Sequence, residues 1–168
     1  MGKSKARTIY GAIARVLLVY VLGCALVACS QSSDNVIRFG VASAPVTLDP
    51  RFATDATSER LNRLLFQRLV DFDVNQLPVP SLAKWQQRTP THYRFTLLNQ
   101  ERFHNGSLLT SRDVKATYDY ILNPTNASPH RTVLALIERI ETPDSTTIDF
   151  FLRKADSLFP AYLVIGIM

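Results

Sequence analysis

Phe103-His104-Asn105-Gly106-Ser107-Leu108-Leu109-Thr110-Ser111-Arg112-Asp113-Val114 holds the densest local signals in this 168-residue chain. Asn105-Gly106 marks a tight turn, because both residue types tolerate the backbone that a sharp reversal needs. Thr110 or Ser111 followed by Asp113 has the form of a capped helix start, with the carboxylate near the positive end of the helix dipole. Val114, Tyr118, Ile121 and Leu122 then make one apolar stripe, which predicts a helix ending before Pro124. His104 beside Asn-Gly reads as the entrance to the turn. His92 and His130 lie far from it in sequence and no H-E-x-x-H spacing occurs, so no metal site is expected.

Working back from the turn, residues 93–98 alternate and read as a strand. Ser81-Leu82-Ala83-Lys84-Trp85 reads as one helical turn that docks Trp85. Pro78 and Pro80 force an extended crossing, and residues 70–74 form a short strand with a turn around Asn75-Gln76. A helix capped by Thr57 or Ser58 follows from Leu61, Leu64, Leu65 and Leu69, with Arg60, Arg63 and Arg68 on its solvated side. Leu48-Asp49-Pro50 turns the chain, and residues 36–42 alternate as a strand. Asp71 and Asp73 share a strand face, but at a turn edge they read as solvated and not as an acid–base pair.

Working forward, residues 123–129 form a loop and a third helix covers about 131–137. Two strands follow, about 138–142 and 147–152, joined by Pro143-Asp144-Ser145. A last helical stretch starts at Asp156 or Ser157. The end, Leu163-Val164-Ile165-Gly166-Ile167-Met168, is wholly apolar. Such an end is either a buried strand or the point where a longer domain is cut, and the second reading is preferred.

The first fifteen residues carry Lys3, Lys5, Arg7 and Arg15 and no acid. Residues 16–28 are uncharged and apolar, too few for the ~20 that span a bilayer. A basic head before a short apolar run is the layout of a secretory signal. Its end, Leu26-Val27-Ala28-Cys29, resembles a lipobox, the cleavage motif of bacterial lipoproteins. Residues 1–28 are thus read as a signal peptide, Cys29 as the lipid-bearing first mature residue, and 29–35 as a polar tether. Val21-Leu22-Gly23-Cys24 fits less well, since Leu22 is bulky.

The formal charge of +5 comes mostly from that leader: four of the 19 basic residues lie in it, and all 14 acidic ones lie beyond. The mature part carries 15 basic against 14 acidic residues, which points away from a nucleic-acid partner. Both cysteines sit at the leader end, so the body has no disulfide framework and no thiolate metal site. No catalytic motif, phosphate loop or dinucleotide fingerprint is present. The chain is read as a non-enzyme without a cofactor.

The ordered set of features resembles the family 5 solute-binding proteins of ABC importers, the peptide- and nickel-binding group. The resemblance runs from Val36 to the last residue. It rests on Leu48-Asp49-Pro50, Leu69-Val70, Pro80-Ser81-Leu82-Ala83-Lys84-Trp85, Tyr93-Arg94-Phe95 and the opening stretch. One departure is that Ala83-Lys84-Trp85 is a residue shorter than the family pattern, with a base where an acid is usual. Another is length, since the family runs far beyond 168 residues.

The resemblance implies a mixed α/β fold: the opening part of lobe I of a two-lobed periplasmic-binding-protein (type II) architecture, incomplete over residues 36–168. It implies a peptide-like solute and an ABC permease as partners, with the bilayer reached through Cys29. It also places Ser43, Ala44, Pro45 and Val46 in a loop facing the ligand cleft, and His130 near it. The expected location is the cell envelope, on the periplasmic side of an inner or outer membrane or the outer face of a plasma membrane. A small complete envelope lipoprotein with a structural or interaction role is the alternative.

Overall fold

The computed structural model describes residues 36–168. The residues read as signal peptide (1–28), lipid-bearing Cys29 and polar tether (29–35) lie outside the described residues. By its contacts the chain divides into residues 1–40 and 41–168.

The alternation of residues 93–98 does what period two requires. Strand β4 (His92–Leu97) turns Tyr93, Phe95 and Leu97 inward and His92, Arg94 and Thr96 outward. It lies between β3 (Ala83–Thr89) and β6 (Thr147–Leu152), and β5 (Ile137–Glu141) closes the far edge, giving an antiparallel sheet ordered β3-β4-β6-β5. A separate ribbon pairs β1 (Val70–Phe72) with β2 (Pro78–Pro80) through the expected turn, where Gln76 takes a positive φ of 62°. Pro78 and Pro80 thus belong to a two-stranded edge, the kind of place where a missing N–H is tolerated.

Helix α2 (Ser111–Leu122) covers the inner sheet face with Val114, Tyr118 and Ile121, all fully buried. Its start is the one the sequence announces: Asp113 Oδ2 accepts from the Thr110 N–H at 2.7 Å and from the Thr110 hydroxyl at 2.8 Å. Ahead of it, Gly106 turns with φ 86°, and the Gly106 N–H reaches the Phe103 carbonyl at 2.8 Å. Phe150 is the centre of the core, 5.4 Å from Phe95, 5.5 Å from Tyr118 and 5.4 Å from Phe159 between ring centroids.

The outer sheet face is polar, yet Asp149 on it is only 2 % exposed. Arg94 covers it with two bonds of 2.8 and 2.7 Å, and His92 Nε2 lies 2.9 Å away. The Arg94 hydrogen bond holds this carboxyl below the usual range against the opposing effect of burial, with His92 helping.

Five expectations are corrected. Residues 36–42 form no strand, and Val36, Ile37, Phe39 and Val41 are exposed. Alternation is only a capacity to pair, and no neighbouring strand meets this segment among the described residues. The segment around Trp85 is strand, not helical turn: Trp85 sits opposite Phe95 and stacks on it at 5.9 Å. Ladder bonds and ring packing override a weak local preference there. Helix α1 (Ala56–Leu65) is capped by Asp55, whose Oδ1 accepts from Thr57 N at 3.1 Å and Ser58 N at 2.9 Å. Its leucines also fail to form a buried stripe, since Leu64 is 65 % exposed and Leu65 42 %. Finally, α3 (Arg131–Leu134) is shorter than expected, because the chain enters β5 at Ile137.

The stretch after Asp156 forms a 3-10 turn, Phe159–Tyr162. The apolar tail is threaded through the body, with Leu163, Ile165 and Ile167 buried. Gly166 bridges Arg68 in antiparallel fashion, and the Ile167 N–H donates to Gln67 O at 2.9 Å.

Candidate functional site

Helix α1 turns a polar face inward. Ser58 and Asn62, four apart and so on one side of the helix, are its buried residues. Ser58 Oγ accepts the Thr47 N–H at 3.1 Å, which seats the preceding loop against the first turn of the helix. Ser43 adds a contact of 3.0 Å between its hydroxyl and that of Thr57. Below it, Asp49 and Arg51 pair at 2.7 Å, and the Arg51 guanidinium lies 3.9 Å from the centre of the Tyr120 ring. Partial burial raises the Asp49 carboxyl, but the Arg51 side-chain and backbone hydrogen bonds outweigh it and leave the group lowered.

Asn62 lies one turn further on, beside a cavity of ≈ 190 Å³ lined by Pro50, Glu59, Arg68, His130 and Gly166, among others. His130 arrives from the turn before α3. Ser128 ties that turn to the Pro50 corner by donating its hydroxyl to Arg51 O at 2.6 Å. Gly166 brings the tail in: a Cβ there would stand 2.6 Å from Phe66 Cβ and 3.1 Å from Pro50 Cβ, so only glycine lets the tail approach the end of α1 and the Pro50 turn this closely. Arg68 is 8 % exposed and reaches Asp71 Oδ2 at 3.2 Å. Burial lowers its pKa, with Asp71 opposing.

The polar groups at this cavity are unevenly served. Asn62 Oδ1 and Nδ2, and His130 Nε2, are buried without a hydrogen-bond partner among the described residues. Buried polar groups are nearly always paired, so three orphans at one concavity single it out.

The structure thus places His130 at a cavity, but with Asn62 and not with the loop expected to accompany it. Ser43, Ala44 and Val46 are exposed, Pro45 is half-buried, and none of the four lines the cavity. Asn62, Arg68 and Gly166 were not singled out as site residues by the sequence. The available signal was Asn62 itself, an amide interrupting a leucine-rich helix. Cys29 lies outside the described residues. His104 is exposed in its turn. Asp73 Oδ1 accepts from the Asn75 and Leu77 N–H groups at 2.8 and 2.9 Å, so it shapes the β1–β2 turn. Among the described residues, no three His, Cys, Asp or Glu gather as metal ligands, and no helix is long and apolar enough to cross a membrane.

Residues 78–167, from β2 through the sheet and α2 to the tail, match the model of the bacterial extracellular solute-binding proteins, family 5 Middle. The chain belongs to this family. It is 27 % identical over 130 residues to the glutathione-binding protein GsiB of Pectobacterium atrosepticum, which covers 76 % of the chain and 25 % of that protein. A putative ABC transporter peptide-binding protein of Brucella ovis is 33 % identical over 91 residues, 53 % of the chain and 17 % of its own length. Among solved structures, the PBP AgaA of A. tumefaciens R10 in complex with agropinic acid superposes with a TM-score of 0.67 at 30 % identity. It covers 71 % of the chain, and the chain covers 25 % of it. OppA of Burkholderia pseudomallei gives 0.70 at 20 % identity, with 75 % and 28 % covered, a likeness of fold alone. The chain spans about a quarter of the length of the curated relatives it matches over most of its own. The fold is the mixed α/β architecture of periplasmic binding proteins, represented here by part of a lobe.

Proposed function

We propose that this chain is the opening part of the first lobe of an extracytoplasmic solute-binding lipoprotein, which captures oligopeptide-like solutes and delivers them to the permease of an ABC importer. The observation that carries the reading is the family match over residues 78–167, which spans the whole sheet and helix α2. The peptide- and glutathione-binding names of the relatives support a peptide-like solute. The match also favours a transport role over a free-standing structural module. The part of the chain is binding and delivery, not catalysis.

In this reading Ser43, Ala44, Pro45 and Val46 offer exposed backbone to an extended solute, a mode that gives affinity without reading side chains. His130 stands at the cleft wall. Cys29 carries the lipid that keeps the domain at the envelope, on the periplasmic side of an inner or outer membrane or on the outer face of a plasma membrane. The basic head, the apolar run and Leu26-Val27-Ala28-Cys29 support that anchor.

Disrupting the gene and measuring uptake of a labelled tripeptide tests the transport role. Uptake falls to background if the reading holds, and unchanged uptake defeats it. Metabolic labelling with palmitate tests the anchor: the native chain takes up label and a Cys29→Ser chain does not. The chain alone offers part of one wall, so an oligopeptide mixture is expected to leave its Tm within a degree or so, as weak binding contributes little stabilisation near its Kd.

A further inference from the structure

We propose that Asn105 is a site of spontaneous covalent modification: its side-chain amide is converted to an acid through a cyclic imide formed with the Gly106 nitrogen, and Ser107 assists by holding the oxygen on which charge develops. The chemistry needs neither solute nor partner chain, so it stands apart from the transport reading. Every contact it uses lies within residues 102–107.

Asn105, Gly106 and Ser107 are all exposed. The nucleophile is the Gly106 backbone nitrogen and the electrophile is Asn105 Cγ. Glycine hinders this approach least, because it brings no Cβ to the closing ring. Asn105 Oδ1 is held by two donors of the same residue: the Ser107 N–H at 3.0 Å and the Ser107 hydroxyl at 2.7 Å. Both draw electron density away from Cγ, and both are in place for the oxyanion that attack creates. That is the logic of an oxyanion hole, built within three consecutive residues.

The Gly106 nitrogen gives its proton to hydroxide and bonds to Cγ, while the electron pair of the Cγ–Oδ1 double bond moves onto Oδ1. The oxyanion then collapses, the Cγ–Nδ2 bond breaks, and Nδ2 takes a proton from water and leaves as ammonia. Water opens the imide in one of two ways. Breaking the bond from nitrogen to Cγ gives aspartate, and breaking the bond from nitrogen to the Asn105 main-chain carbonyl carbon gives isoaspartate. The sum is amide and water to acid and ammonia, with nothing oxidised or reduced.

One contact opposes the attack. The Gly106 N–H donates to Phe103 O at 2.8 Å and must let go first. An exposed turn bond of ordinary net strength is open roughly a tenth of the time, which slows a reaction that runs over days but does not stop it. The isoaspartate product adds an atom to the backbone of the reversal that the Phe103 N–H and Ser107 O close at 2.9 Å. Either product adds a negative charge to the turn, which Arg102 braces by donating to Gly106 O at 2.7 Å.

The test keeps the full chain in detergent micelles, in mildly alkaline water enriched in heavy oxygen, and samples it over several weeks. Peptide mass spectrometry reads the conversion, and an isoaspartate methyltransferase reads the isomer. Asn105 should take up heavy oxygen and appear as both aspartate and isoaspartate. It should do so at least about tenfold faster than Asn75 and Asn126, whose next residues Gln76 and Ala127 carry a Cβ. No conversion at Asn105, conversion no faster than at those two, or aspartate without isoaspartate overturns the imide route. Ser107→Ala keeps the N–H and removes the hydroxyl, so conversion should slow about fivefold, the consequence of one hydrogen bond lost. Ser107→Thr, which restores the hydroxyl, should recover most of the rate. A Ser107→Ala chain that converts as fast as the native one or faster, or a Ser107→Thr chain as slow as Ser107→Ala, overturns the assistance by Ser107.

Discussion

Helices α1 and α2 are similar in length and opposite in construction. Helix α2 buries Val114, Tyr118 and Ile121 at 0 % exposure against the sheet. Helix α1 buries Ser58 and Asn62 and leaves Leu64 and Leu65 exposed. The first is held by the hydrophobic effect, which rewards apolar area removed from water. The second is held by polar bonds at its start: the Asp55 cap, the Thr47 N–H on Ser58 and the Ser43–Thr57 contact. The fold therefore depends on the sheet and α2, while the unusual polar chemistry gathers at α1. Apolar packing and unpaired polar groups occupy different corners of one body.

The sharpest way to break this division is to empty the core beside α2. Phe150→Ala removes the ring that touches Phe95, Tyr118 and Phe159, and should cost about 3–5 kcal/mol. Loss of the cooperative thermal transition by circular dichroism is the expected result. A variant that melts like the native chain would mean that α2 and the sheet are not the seat of stability.

Gly166→Ala probes the other corner through backbone spacing. The new Cβ would meet Phe66 Cβ at 2.6 Å, an overpacking that should cost about 1–3 kcal/mol. The chemical denaturation midpoint should fall with an unchanged slope, and the Asn62 side-chain resonance should move because the cavity wall has shifted. A midpoint equal to the native one would show that the tail is not held tightly against α1.

Much of the α2 half was legible in the sequence, and much of the α1 half was not, for one physical reason. In α2 every local rule agrees: Thr110 and Asp113 cap it, the apolar stripe faces one way, and Asn123-Pro124 ends it. Strand β4 was likewise legible from alternation, since its inner residues are apolar and its outer ones polar, and β5 and β6 fall within a residue of their expected bounds. In α1 the leucines suggest a buried stripe, and the burial of Ser58 and Asn62 depends on neighbours from residues 47–50, 128–130 and 164–166 that no local pattern reveals. Trp85 misled in the same way, because its place in β3 is decided by Phe95 across the ladder. His130 was reached through family resemblance, while its unpartnered nitrogen beside Asn62 could come only from coordinates.

The outer face of the sheet gives a pH-dependent comparison with the dry inner face. Arg94→Ala removes two bonds to the buried Asp149 carboxylate. It should lower stability at neutral pH, by less than a fully buried pair would because Arg94 is 39 % exposed and screened. The folded carboxyl is lowered, so its contribution is present above the ordinary carboxylate pKa and lost as pH falls through the folded value. Urea midpoints of the native chain should therefore drop below about pH 4, and the Arg94→Ala chain should show a shallower acid drop. Parallel profiles for the two would mean that Arg94 does not set the charge state of Asp149.

The smallest effect should come from the residue that most resembles a core position in sequence. Leu64 has helical spacing from Leu61, yet its side chain is 65 % exposed. Leu64→Ser removes little buried area and leaves the Asp55 cap and the Ser58 contact untouched, so stability should change by no more than about 0.5 kcal/mol. The same substitution at Ile121, which is fully buried in α2, should be severe, because it creates a cavity and buries a hydroxyl without a partner. Thermal melts of the two variants side by side put the difference between the helices into one number. A Leu64→Ser chain as damaged as Ile121→Ser would mean that α1 is packed through its leucines after all.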